Sequence, residues 1–351
     1  MTDFAPPCGK PAAAFFNVIA RASRKHSSND TSGAIYFWGF LIWSFYFLTS
    51  FYFCVVEPRV KFFEIPFVRI LNNIIIIGTC AFTASLFLIY LPGYIPEIGD
   101  GESVVATFYV IVFATILAAA YSSTDIKYVR ILSVGSTVLF LALIGGIWLW
   151  SGVGVGGLAA NAGLLSSYFA NLHQFVLPLT EYHEFYLFWW FAWSIMIGQF
   201  TSRFVGGLRT WQLLLALLIF PSIPLALWFA VLYGVHLEGM STEGLVNAAM
   251  IVVGITFVIN SLDSLIRLYT DNLSLTVERF GKLKYIAGNV AALFALALTG
   301  SVRQRILVLG GLAAAAIPLA VLGLVSPIIC AAAMGFSDLI VIGNSLRLLR
   351  R

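Results

Sequence analysis

Ten stretches of this sequence are each apolar over about eighteen residues or more: 35–57, 68–92, 103–121, 129–151, 184–205, 212–235, 247–268, 283–300, 305–325 and 327–347. As a helix, a run of that length crosses roughly 30 Å of hydrocarbon. Strict apolar and polar alternation is absent, so helices, which satisfy their own backbone hydrogen bonds in lipid, are favoured over a barrel. The expectation is an all-α, polytopic membrane protein of about ten transmembrane helices. Composition agrees, since 60% of the 351 residues are hydrophobic and only 10% are charged, unlike an average soluble domain.

The few charges fall in the connections and carry orientation. Loops 122–130 (Lys127, Arg130), 203–211 (Arg203, Arg209) and 267–284 (Arg267, Arg279, Lys282, Lys284) are basic. Loop 93–102 carries Glu97, Asp100 and Glu102, and neither it nor 152–183 nor 236–246 contains Lys or Arg. Short cytoplasmic loops hold the Lys and Arg excess, so the basic loops are assigned to the inside. The alternation fails at both ends. It places the basic tail outside, and ten full crossings would also place Arg303 and Arg305 outside, unless 283–300 does not cross fully. Residues 1–33 read as a polar tail without the apolar core of a signal peptide.

No nucleophile, base and acid set, P-loop, paired metal histidines or basic nucleic-acid face is found, which argues against an enzyme and a nucleic-acid partner. Cys8, Cys54, Cys80 and Cys330 are far apart and form no C-x-x-C pair, so no zinc site or disulfide framework is indicated. His173 and His183 read as solvated loop residues. Asp263, in an apolar run four residues before Arg267, is open to two readings: an ion pair with Arg267, or a part in gating or an ion path. Asp338 has no basic residue within one turn. The glycine-rich SGVGVGGLAANAG at 151–163 reads as a flexible loop.

Aromatic residues concentrate in two places. The stretch FYLFWWFAWSIMIGQFTSRF, Phe185 to Phe204, puts Trp189, Trp190 and Trp193 within five positions, where a helix brings them to one side. The stretch FWGFLIWSFY carries Trp38, Trp43 and Tyr46. Two uses fit: an interfacial aromatic belt, or a cage for a cation that cannot donate hydrogen bonds. Each desolvated ring face attracts such a cation by about 0.5 to 2 kcal/mol.

FWWFAWSIMIGQFTSRF resembles the signature helix of the betaine/choline/carnitine transporter family. Further pieces occur in that family's order: W-x4-W-x2-Y as Trp38, Trp43 and Tyr46, DIKYVRILS at 125–133, and FVINSLDS at 257–264, similar to a Thr-Ser-x-Asp-Ser run. The resemblance covers roughly 33 to 300. It implies a five-plus-five inverted-repeat fold, a midplane site among broken helices, and sodium-coupled or exchange transport of quaternary ammonium solutes across a bacterial inner (cytoplasmic) membrane. Carried over, Trp38, Trp43, Tyr46 and Trp190 would line the cage, Trp189 and Trp193 would flank the path, and Asn260 with Ser261 would stand at a sodium position.

Two departures shape the expectation. The family's broken, glycine-rich helix ahead of W-x4-W-x2-Y has no counterpart in 34–301, and Asn260 replaces its Thr. Sodium coupling within this chain is therefore not expected, and a separate chain would have to supply the missing helix. Residues 302–351 resemble the last helix pair of copper-transporting P-type ATPases, but no phosphorylation motif or nucleotide domain accompanies them. Within that pair, Met334 and Cys330 stand one turn apart, as a soft-metal pair or as packing. Two functions stay open: an oligomeric transporter of quaternary ammonium compounds, or a non-transporting relative that serves as a structural or assembly subunit of a larger membrane complex.

Overall fold

The computed structural model describes residues 43–101, 103–164, 193–205, 207–242 and 244–298, and every regular element among them is helical. In chain order these are α1 (43–60), α2 (Pro66–Tyr94), α3 (Ala106–Ser122), α4 (Ile126–Ser151), α5 (Val155–Gly163), α6 (193–202), α7 (Thr210–Leu237), α8 (Leu245–Asn272) and α9 (Lys282–Leu298). Four of them, α2, α4, α7 and α8, are long and apolar enough to cross a membrane. The hairpin 302–351 lies outside the described residues.

Local chemistry sets the helix ends. Pro66 opens α2 at a position where its missing N–H costs nothing. Asp125 caps α4 by accepting the Lys127 N–H at 2.8 Å, and Gly152 closes that helix at φ 67°, a left-handed conformation natural to glycine. α1 ends on Lys61 at φ 55°. There the Glu57 carboxylate holds the turn by accepting the Phe63 N–H at 2.6 Å and the Tyr52 hydroxyl at 3.0 Å.

Two helices widen locally into a π turn, at Tyr52–Val56 in α1 and Leu215–Ile219 in α7. Each is followed two residues later by a proline, Pro58 and Pro221. A proline in a helix removes one N–H and pushes back the carbonyl four residues earlier, and a wider turn is one way to relieve both.

α8 is the hub of the bundle, packing against α2, α3 and α4, while α9 covers α2 and α3. The main core lies among α2, α3, α8 and α9, with Ile76, Cys80, Phe108, Ile116, Leu262, Ile266 and Leu293 fully enclosed, and Met196 reaches it from α6. A smaller core joins α4 to α7 through Ile144, Ile147, Val231 and Val235.

The glycine-rich stretch corrects the reading as a flexible loop. Val155–Gly163 is a helix docked on α7. The Trp148 indole N–H donates to the Val153 carbonyl at 2.7 Å, and Asn161 donates to the Ala230 carbonyl at 3.2 Å. Small residues allow the approach: a Cβ on Gly234 would lie 2.8 Å from Val153 Cγ2. The close approach is made by Gly234 of α7; of the glycines in the stretch itself only Gly157 would bring a Cβ near another atom, Val153 of its own segment.

Candidate functional site

The two aromatic segments of the sequence come together where α1 crosses α6. The Thr49 hydroxyl donates to the Ser194 carbonyl at 2.7 Å, across 145 residues of sequence. Only glycine fits at the crossing, because a Cβ on Gly198 would lie 2.7 Å from Thr49 Cβ and 2.8 Å from its carbonyl carbon. One turn before Thr49, Tyr46 is buried, and Trp43 is half-buried. Trp193, beside Ser194, packs against the main core, and its indole N–H is buried without a hydrogen-bond partner among the described residues. Trp38, Trp189 and Trp190 lie outside the described residues, as do His173, His183, Cys330, Met334 and Asp338.

α2 closes the third side of this crossing with a row of polar groups. Asn72 donates to the Gln199 amide oxygen at 3.1 Å, tying α2 to α6. Asn73 donates to the Arg69 carbonyl of its own helix at 2.6 Å. That leaves Asn72 Oδ1, Asn73 Oδ1, Ser50 Oγ and Thr79 Oγ1 buried without partners. Buried polar atoms are nearly always paired, so the three on α2, with Ser50 on α1, mark a polar seam that ordinary packing does not explain. Sequence reading missed it, although paired amides inside an apolar run are a visible signal.

At the position the resemblance assigns to sodium, Asn260 Oδ1 accepts the Ser133 hydroxyl of α4 at 2.8 Å, and Ser261 next to it is half-buried. The amide oxygen acts as a strut between α4 and α8. Among the described residues, no three His, Cys, Asp or Glu side chains gather to hold a metal ion.

Of the two readings of Asp263, the ion pair with Arg267 is not formed. Its carboxylate is fully buried and accepts the Ser122 hydroxyl at 2.6 Å and the Ser264 hydroxyl at 3.1 Å. Arg267 turns to Asp271 instead, at 3.2 Å. The same Asp271 oxygen receives Arg203 at 3.0 Å, and Arg203 also donates to Asn272 at 2.9 Å. This clasp ties the ends of α6 and α8 on the side of the basic loops, and Arg267 extends it to the Ser123 carbonyl. Side-chain position on a helix decides the pairing: Asp263 faces the buried end of α3, whereas Asp271 lies near the exposed end of α8, where charge is solvated.

Neither a protein-family model nor a curated protein matches this chain.

Proposed function

We infer that this chain is a multi-pass transporter of a bacterial inner membrane that takes a quaternary ammonium-type organic cation between α1 and α6. The observation that supports it is the close crossing at Gly198, which sets the helix of Trp43 and Tyr46 against the helix of Trp193. Ring faces suit a cation that offers no hydrogen-bond donor. The ten-helix count and the five-plus-five arrangement belong to this proposal, with α1 to α4 and α6 to α8 as the second to eighth helices of that core.

The test is ligand-induced quenching of tryptophan fluorescence on the purified chain. Betaine, choline or carnitine is expected to quench saturably, and Trp190→Leu to weaken binding by about 1 to 2 kcal/mol, the scale of one desolvated cation-π contact. No response to any of the three at millimolar concentration would leave these aromatics as packing alone.

A second reading, a membrane-complex subunit without transport, draws support from Asn260. Its amide oxygen is engaged by Ser133, and a sodium ion in hydrocarbon needs most of its water replaced by protein oxygens. In liposomes the chain alone is expected to show little sodium-driven uptake. Robust uptake would remove this second reading.

A further inference from the structure

Some cations on the side of the basic loops have protein partners, as Arg203 and Arg267 do in sharing Asp271. Others do not. Lys127, Arg130, Arg279, Lys282 and Lys284 are exposed and form no ion pair with a carboxylate among the described residues. Of the acidic residues in the same loops, Asp125 is used as the cap of α4, and Glu278 pairs with none of these cations.

The ends of three helices meet here. Lys282 Nζ, at the start of α9, lies 4.1 Å from the ring centre of Tyr121 at the end of α3, and 5.8 Å from that of Tyr128 in the first turn of α4. The two rings stack at 5.6 Å, and the Tyr285 hydroxyl of α9 is 3.1 Å from the Ser123 hydroxyl that follows α3. Ring faces hold an ammonium but carry no net charge, so Lys282 stays unneutralised. Lys127 adjoins Tyr128 in sequence, and Arg130 shares its face of α4 at (i, i+3).

Both tyrosines are exposed, and each heads an exposed apolar face. Val110, Phe113 and Leu117 of α3 lead to Tyr121, while Ile131, Val134, Val138 and Leu141 of α4 lead away from Lys127. Each set keeps the three- and four-residue steps of one helix face. A positive excess by itself would serve orientation, but orientation does not require cations grouped around two rings at the head of an apolar face. Helix stability does not account for them either. Neither α4 nor α9 has an acidic residue in its first turn, and the helix dipole disfavours cations there. A negative headgroup on acyl chains matches both parts of this surface, and tyrosine suits the boundary between them.

We propose that the end of α3 and the starts of α4 and α9 bind an anionic phospholipid, its phosphate among Lys127, Arg130 and Lys282 and its acyl chains along the exposed faces of α3 and α4. The site does not depend on which solute, if any, the protein carries.

Native mass spectrometry of the purified full chain tests it, with the chain released from micelles that hold equal amounts of phosphatidylglycerol and phosphatidylcholine of the same acyl chains. Phosphatidylglycerol is expected to be retained in preference. Lys127→Gln, Arg130→Gln and Lys282→Gln, all at exposed positions, should each lower that preference about fivefold, the scale of one Lys or Arg near an anionic membrane surface. Lys282→Arg should keep it, and so should Arg209→Gln, which removes a cation from another loop of the same side. Glycerol 3-phosphate at millimolar concentration should not displace the lipid. Equal retention of the two lipids overturns the site. So does a preference that the three Gln variants leave intact or that Arg209→Gln lowers as much, which would mean a diffuse attraction to the basic side. Displacement by glycerol 3-phosphate overturns it in favour of a soluble phosphate ligand.

Discussion

Helices α2 and α7 are 29 and 28 residues long and equally apolar, yet 67% of the most apolar window of α2 is buried in the protein against 11% for α7. The difference lies in a few residues. α2 carries Asn72, Asn73, Thr79, Thr83 and Ser85, all buried, and two of them reach other helices: Asn72 to Gln199 and Ser85 to the Ala297 carbonyl at 2.8 Å. Over its apolar length α7 has one aliphatic hydroxyl, Ser222, which bonds back to its own Leu218 carbonyl. Phe220 and Ile223 are exposed there. In lipid, apolar surface has no reason to leave the solvent, and association follows from close packing and interhelical hydrogen bonds. Average hydropathy therefore says that a helix is in the membrane, and its polar exceptions say which side meets protein.

The largest expected effect is at the glycine crossing. Gly198→Val should destabilise the protein by about 2 to 3 kcal/mol, because the neighbour on α1 includes rigid backbone. Thermal unfolding in detergent would show it, with Gly254→Ala as control, since a Cβ at Gly254 meets nothing within 4 Å. A tolerated Gly198→Val would mean that α1 and α6 do not cross as described. Next, Asn72→Leu should cost about 1 to 2 kcal/mol, as Gln199 stays buried with its bond broken. Indifference to that change would remove the polar seam as the feature that separates α2 from α7.

A smaller loss is expected from Ser85→Ala, about 0.6 kcal/mol, the average for an interhelical hydrogen bond in a membrane protein. Comparing its unfolding with that of a Ser222→Ala variant separates a bond between helices from one within a helix, and the second should be close to neutral. Smallest of all, Phe220→Leu and Ile223→Leu should stay within about 0.5 kcal/mol of the unmutated protein. If they destabilise like the α2 variants, α7 has a protein partner on that face and the comparison fails.

The spans were largely legible from apolar runs: 68–92, 129–151, 212–235 and 247–268 fall inside Pro66–Tyr94, Ile126–Ser151, Thr210–Leu237 and Leu245–Asn272. The helices run a few residues further because their caps, such as Asp125 and the Gln212 side chain that accepts the Arg209 N–H, are polar. The partner choice of Asp263 was not legible. Ser122 is 141 residues away, whereas Arg267 is near in sequence and attracts the reader for that reason alone. Asn72 and Gln199, 127 residues apart, stayed hidden for the same cause. The docking of α5 escaped because the partner of Asn161, the Ala230 carbonyl, is 69 residues away.

The Thr49–Ser194 bond also has a timetable. A ribosome adding about 5 to 20 residues per second takes roughly 7 to 30 s to make the 145 residues that separate the two partners. During that interval α1 stands in the nascent chain with Thr49 and Ser50 present and the helix they meet not yet synthesised. Its early survival must rest on its own backbone bonds, on aromatic neighbours such as Phe47 and Phe51, whose ring centres are 6.3 Å apart, and on whatever the insertion machinery provides. A delay in the synthesis of the region between them would lengthen that exposure without altering a single contact of the finished protein.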